Sequence, residues 1–105
     1  MDSRLILLLN KIKEQPGLFI GTKSLIPLWH FLHGYQYCLF DIEGDYYNMP
    51  GFQEYIEDIY NFHGVHSWAQ IIQSNCIDDE AAFDKFYVHL DDYLSKMSIG
   101  SESKS

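Results

Sequence analysis

Residues 24–39, SLIPLWHFLHGYQYCL, decide the fold. Leu25, Leu28, Trp29, Leu32, Tyr35 and Leu39 recur at intervals of three and four, the spacing that places side chains on one face of an α-helix. Thr22 or Ser24 can cap that helix, and Pro27 is tolerated in its first turn, where no intrahelical N–H bond is needed. Gly34 falls inside the pattern. An interior glycine costs roughly 1 kcal/mol against alanine, which predicts that another helix approaches closely there.

The same period appears on either side. Leu5, Leu8, Leu9 and Ile12 predict a first helix, with Lys11 and Lys13 near its end and Gln15-Pro16-Gly17 as its stop. Leu18-Phe19-Ile20 reads as a short apolar link between two glycines, too short to argue for a sheet. Asp41 to Gly51 loses periodicity, and Gly44, Asn48, Pro50 and Gly51 mark a loop. Phe52, Ile56, Ile59 and Tyr60 then give a core face, opposite Gln53, Glu54, Glu57, Asp58 and Asn61, with Gly64 as the stop. Ser67 can cap a short helix that turns Trp68, Ile71 and Ile72 inward. Asp78 and Asp79 precede the last helix, whose stripe is Ala82, Phe83, Phe86, Tyr87, Leu90, Tyr93, Leu94 and Met97. The expectation is an all-α fold, a small single-domain bundle of four to five helices over residues 1–97, followed by a flexible polar tail at 98–105.

The chain has 105 residues, enough for one domain with its own core. Its aromatic content of 16% and hydrophobic content of 47% exclude disorder for the body of the chain. The formal net charge of −8 argues against nucleic acid and anionic membranes as partners and favours a basic one. Leu5 to Leu9 is too short for a signal-peptide core, and no stretch has the length of a membrane span. A cytoplasmic protein is expected. Cys38 and Cys76 fit free, buried thiols in a reducing compartment. Their positions leave a bridge between the two open.

The charge is unevenly placed. From Ser24 to Asp84 there is no Lys or Arg, whereas Asp41, Glu43, Asp45, Glu54, Glu57, Asp58, Asp78, Asp79, Glu80 and Asp84 are acidic. Folded surfaces ordinarily intersperse both signs, so an anionic face is predicted. Tyr46 and Tyr47 sit in the loop beside Asp45, outside any core stripe. They either anchor a protein interface, as exposed tyrosines commonly do, or pack over the end of the bundle. The expected partner-binding set is therefore Asp41, Glu43, Asp45, Tyr46 and Tyr47 from the loop, with Glu54, Glu57 and Asp58 from the next helix.

Chemistry is harder to find. His63 and His66, like His30 and His33, are three apart, a spacing that suits a shared metal, but no cysteine or carboxylate stands at a matching interval. Bulky Tyr37, Leu39 and Phe40 around Cys38 suggest a structural thiol rather than a nucleophile. Glu54 and Asp58 read as a solvated helix face, not an acid–base pair. Phosphate-binding loops, dinucleotide fingerprints and nucleophile elbows are all missing from the sequence. The reading is a protein without catalytic residues, metal or cofactor.

Residues 16–35, PGLFIGTKSLIPLWHFLHGY, resemble small bacterial immunity proteins of polymorphic or contact-dependent growth inhibition toxin systems, matching at Pro16, Gly17, Phe19, Gly21, Ser24, Leu25, Leu28, Phe31, Gly34 and Tyr35. PGFQEYI (50–56), SWAQII (67–72) and EAAFDKFYVHLDDY (80–93) are similar to such proteins too. The resemblance implies a non-enzymatic inhibitor that binds the C-terminal domain of one cognate toxin. Many such toxins are basic nucleases, which an acidic partner suits. The other expectation is a non-enzymatic all-α adaptor or regulatory module whose acidic face is only solvated surface.

Overall fold

The computed structural model describes residues 3–43, 49 and 51–103. Six helices follow one another: α1 (Ser3–Glu14), α2 (Pro16–Ile20), α3 (Leu25–Glu43), α4 (Phe52–Tyr60), α5 (Trp68–Ser74) and α6 (Asp79–Ser103). There is no strand among the described residues. The all-α expectation holds, with one helix beyond the predicted number.

The additional helix is α2. Pro16 occupies its first turn, where its fixed φ suits the helix and its missing N–H costs nothing. Gly21 ends it in the left-handed region at φ +78°, its N–H donating to the Gly17 carbonyl at 3.2 Å. The apolar link is thus a single helical turn, too short to show a period. It docks through Phe19, whose ring meets Phe31 of α3 edge-to-face at 6.5 Å.

Helix α3 also differs from expectation. It runs on to Glu43, so Asp41 and Glu43 belong to its last turn, not to a loop. Nothing in Asp41-Ile42-Glu43 breaks a helix, and the first breaker is Gly44. Gly34 does not mark a close approach: a Cβ built there would meet nothing within 4 Å. Cys38 is exposed rather than buried, because it lies about 100° round the helix from the face that carries Leu28 and Leu32 into the core. Helix α4 ends at Asn61, not Gly64. Asn61 takes φ 50°, while its N–H and that of Phe62 donate to Asp58 and Glu57. Asparagine is one of the few residues other than glycine that enter this region readily. Ile59, expected in the core, is 44% exposed.

The core stripes otherwise fall where the period puts them. Leu5, Leu9 and Ile12 of α1, Leu25, Leu28 and Leu32 of α3, and Phe83, Phe86 and Leu90 of α6 are buried. Each fully buried side chain of this kind contributes about 1.5–3 kcal/mol. Tyr87 is buried as well, its hydroxyl donating to the Leu9 carbonyl at 2.6 Å and joining α6 to α1. Burial pushes the pKa of that hydroxyl up. Ser67 and Asp78 cap α5 and α6, accepting from Gln70 N at 3.3 Å and Ala81 N at 2.8 Å. Helices α4, α5 and α6 meet in an aromatic cluster. Phe52 lies edge-on to Trp68, Phe86 and Tyr93 at 5.2, 5.9 and 5.1 Å, and Trp68 stacks on Phe86 at 5.0 Å. These separations suit the aromatic quadrupole.

Candidate functional site

Helix α4 turns Phe52 and Ile56 inward. At 100° per residue this forces Glu54, Glu57 and Asp58 onto the opposite side. Glu54 and Asp58 are exposed and, among the described residues, make no ion pair. Glu57 is half-buried and accepts from Gln53 Nε2 at 3.1 Å. Helix α4 has no basic residue in its last turn. The negative end of its dipole and two carboxylates therefore share one end of the helix, an arrangement that favours an external cation.

The remaining predicted residues divide. Asp41 is exposed on α3. Helix α4 packs chiefly on α5 and α6, and among the described residues no hydrogen bond or ion pair joins Asp41 to the α4 acids. Glu43 closes α3, and its side chain lies outside what is described. Asp45, Tyr46 and Tyr47 lie outside the described residues. The grouped part of the predicted set is thus the α4 trio.

A small pocket lies beside Gln53, the residue bonded to Glu57. Leu32, His33, Gln36, Met49, Gln53 and Trp68 enclose about 150 Å³ between α3, α4 and α5, with no Asp, Glu, Lys or Arg in the lining. A space of that size accommodates a benzene-sized group. Gln53 forms one wall and also fixes the approach of α5 to α4. Its Oε1 accepts from Trp68 N at 2.7 Å, and its Nε2 donates to the His66 carbonyl at 3.0 Å as well as to Glu57.

The polar bridges between α4 and α6 escaped the sequence reading. Tyr55 donates to Asp92, and Lys96 lies 3.6 Å from that carboxylate and 5.1 Å from the Tyr55 ring centroid. Burial, then the hydrogen bond to Asp92 and the charge of that carboxylate, push Tyr55 up to about 12. The Tyr55 hydrogen bond holds Asp92 below the ordinary carboxylate value, with Lys96 adding to the effect. Tyr60 OH lies 2.7 Å from His89 Nε2 and donates to it when the imidazole is neutral. These pairs are separated by 37 and 29 residues, and no local pattern links them.

Burial, then the charge of Lys85, lowers the pKa of His89. The folded chain therefore holds this imidazole neutral at pH values where the unfolded chain, near the ordinary value of about 6.5, has taken up a proton. The stabilisation is complete above the unfolded value and is lost as pH falls through the folded one. Urea midpoints are expected to decline between pH about 7 and about 5, with a smaller decline in His89→Gln, whose amide oxygen can still accept from Tyr60. Equal slopes in the two proteins would remove His89 as the cause.

The other histidines have structural neighbours. His30 and His33 flank Trp29 at ring distances of 4.9 and 4.3 Å, and His33 Nδ1 lies 3.0 Å from the Trp29 carbonyl. His66 stacks on Phe62 at 5.3 Å. Among the described residues no three His, Cys, Asp or Glu side chains are placed to share a metal ion. Among the same residues no helix is long and apolar enough to cross a membrane.

Nothing matches this chain among protein-family models, curated proteins or solved structures.

Proposed function

We propose that this chain is a cytoplasmic, non-catalytic immunity protein that binds and neutralises a cognate bacterial toxin domain, basic and of nuclease type, through the acidic side of α4. The observation that carries the reading is the outward trio Glu54, Glu57 and Asp58 within a span, Ser24 to Asp84, that contains no Lys or Arg. The likeness of residues 16–35 to immunity proteins supports it. So does the pocket walled by Gln53, the partner of Glu57, since a side-chain-sized recess next to a charged group is how interfaces seat an anchor within a polar rim. In this reading the carboxylates steer a cationic surface into place, and Leu32, Met49 and Trp68 receive one apolar side chain from it. Asp41, Glu43, Asp45, Tyr46 and Tyr47 complete the proposed partner-binding set.

The test begins with the product of the neighbouring gene. Co-purification with it, and protection of cells expressing it, are expected. In the triple variant Glu54→Gln, Glu57→Gln, Asp58→Asn, the association rate should fall by about tenfold or more at low salt, and its dependence on ionic strength should flatten, as for other charge-steered encounters. An unchanged rate and salt dependence in a folded triple variant rejects α4 as the contact. Failure to bind or protect against any neighbouring product supports an adaptor instead.

A further inference from the structure

The outward side of α3 carries a second seam. His30, Gly34, Tyr37 and Asp41 are spaced four, three and four residues apart, the alternation of a two-stranded coiled coil. All four are exposed, Tyr37 at 69%. They lie opposite Leu28 and Leu32, which already join α3 to the core. A solvated helix face normally carries charges of both signs at such positions. Here the helix contains no Lys or Arg, and its acids, Asp41 and Glu43, are confined to its last turn. Exposed Tyr37 and Cys38 lie between the histidine end and the acidic end, and exposed Ile42 lies between the two acids.

We propose that α3 pairs with α3 of a second copy, antiparallel across a two-fold axis between Tyr35 and Gln36. The seam is complementary to itself about that axis and no other. Its inner layer sets Gly34 against Tyr37 of the second copy, and its outer layer sets His30 against Asp41. Antiparallel coiled coils build their layers in this way, one seam position facing the other kind. The small-to-large match has room, because the space beside the Gly34 Cα is open to 4 Å. The charge match is directional. Asp41 lies at the negative end of its own helix, where a carboxylate is disfavoured, and the antiparallel partner brings an imidazole donor alongside it. A parallel pairing would instead place Asp41 against Asp41. The two-fold repeats each contact, as isologous interfaces require.

The seam spans four contact positions and is smaller than the roughly 800 Å² per partner of a standard interface, so the dimer dissociates on dilution. The α4 acids lie outside it. Asp41 is shared with the proposed toxin contact, whereas neutralising Glu54, Glu57 and Asp58 leaves self-association unchanged.

Sedimentation equilibrium on the full chain tests it at roughly 10 μM to roughly 1 mM, the span of weak dissociation constants. The weight-average mass should climb from the 12.3 kDa of one chain towards twice that value. Gly34→Arg, which fits the open space of the monomer, should weaken association at least tenfold with its helical circular dichroism intact. His30→Asp and Asp41→His should each stay monomeric alone. Mixed in equal amounts they should associate, because the mixture restores both Asp–His layers. A mass of one chain throughout the range overturns the proposal. So does wild-type association that Gly34→Arg leaves untouched, or a mixture of the two charge variants that stays monomeric.

Discussion

Phe52→Ala is expected to lower the unfolding free energy by about 3–5 kcal/mol, the range for deleting a buried phenyl ring. Phe52 is 1% exposed, and its ring is the one that Trp68, Phe86 and Tyr93 all meet edge-on. Those three rings come from α5 and α6, so the cavity would open where three helices join. Trp68 and Phe86 are stacked on each other and cannot both tilt into the space without losing that contact. Single domains have only about 5–15 kcal/mol in total, so the variant should be close to unfolding at 37 °C. Phe52→Leu fills most of the volume and should lose much less. Urea denaturation measures both, with an unchanged slope showing that the unfolded state is not the cause. A loss below about 1 kcal/mol for Phe52→Ala would falsify the placement of Phe52 at the centre of the cluster, given the usual cost of such deletions.

Gln53→Met is expected to cost about 1–3 kcal/mol, although it preserves length and helix propensity. The amide satisfies Trp68 N, the first helical N–H of α5, and the His66 carbonyl. Methionine can replace neither contact: the part-buried Trp68 N loses its acceptor at a desolvation cost, while the exposed His66 carbonyl can turn to water. Gln53→Glu separates the two roles. Its carboxylate still accepts from Trp68 N, but it has no proton for His66 and it repels Glu57. Its loss should fall between wild type and Gln53→Met at neutral pH. Equal midpoints for wild type and Gln53→Met would show that the bracket between α4 and α5 contributes no stability.

The parts of this fold that could be read from sequence are those written in local periods. Leu25, Leu28 and Leu32, or Phe83, Phe86 and Leu90, announce their helix and its inner face together. Ser67 and Asp78 announced their caps through residue type. Helix α2 was hidden because one turn has no period. The last turn of α3 was hidden because Asp41, Ile42 and Glu43 look like loop in composition while containing no breaker. Gly34 misled for a different reason: an interior glycine is compatible with close packing but does not require it. At the candidate site, the outward placement of Glu54, Glu57 and Asp58 followed from α4's own period. The pocket and the Tyr55–Asp92 and Tyr60–His89 bridges did not, because they depend on how α4 meets its neighbours. The resemblance to immunity proteins covers glycines, caps and core positions, features that speak to the scaffold before they speak to a partner.

The two tryptophans of this chain stand in unlike surroundings. Trp68 is enclosed between Phe52 and Phe86, while Trp29 is half-buried at the rim of α3 with an imidazole on either side. Their fluorescence therefore separates into two optical channels. A Trp29→Phe protein emits only from the joint of α4, α5 and α6, so its spectrum follows unfolding. A Trp68→Phe protein emits only from beside His30 and His33, where a protonated ring quenches indole. That signal follows the state of the α3 surface, and no external label is needed to watch either event.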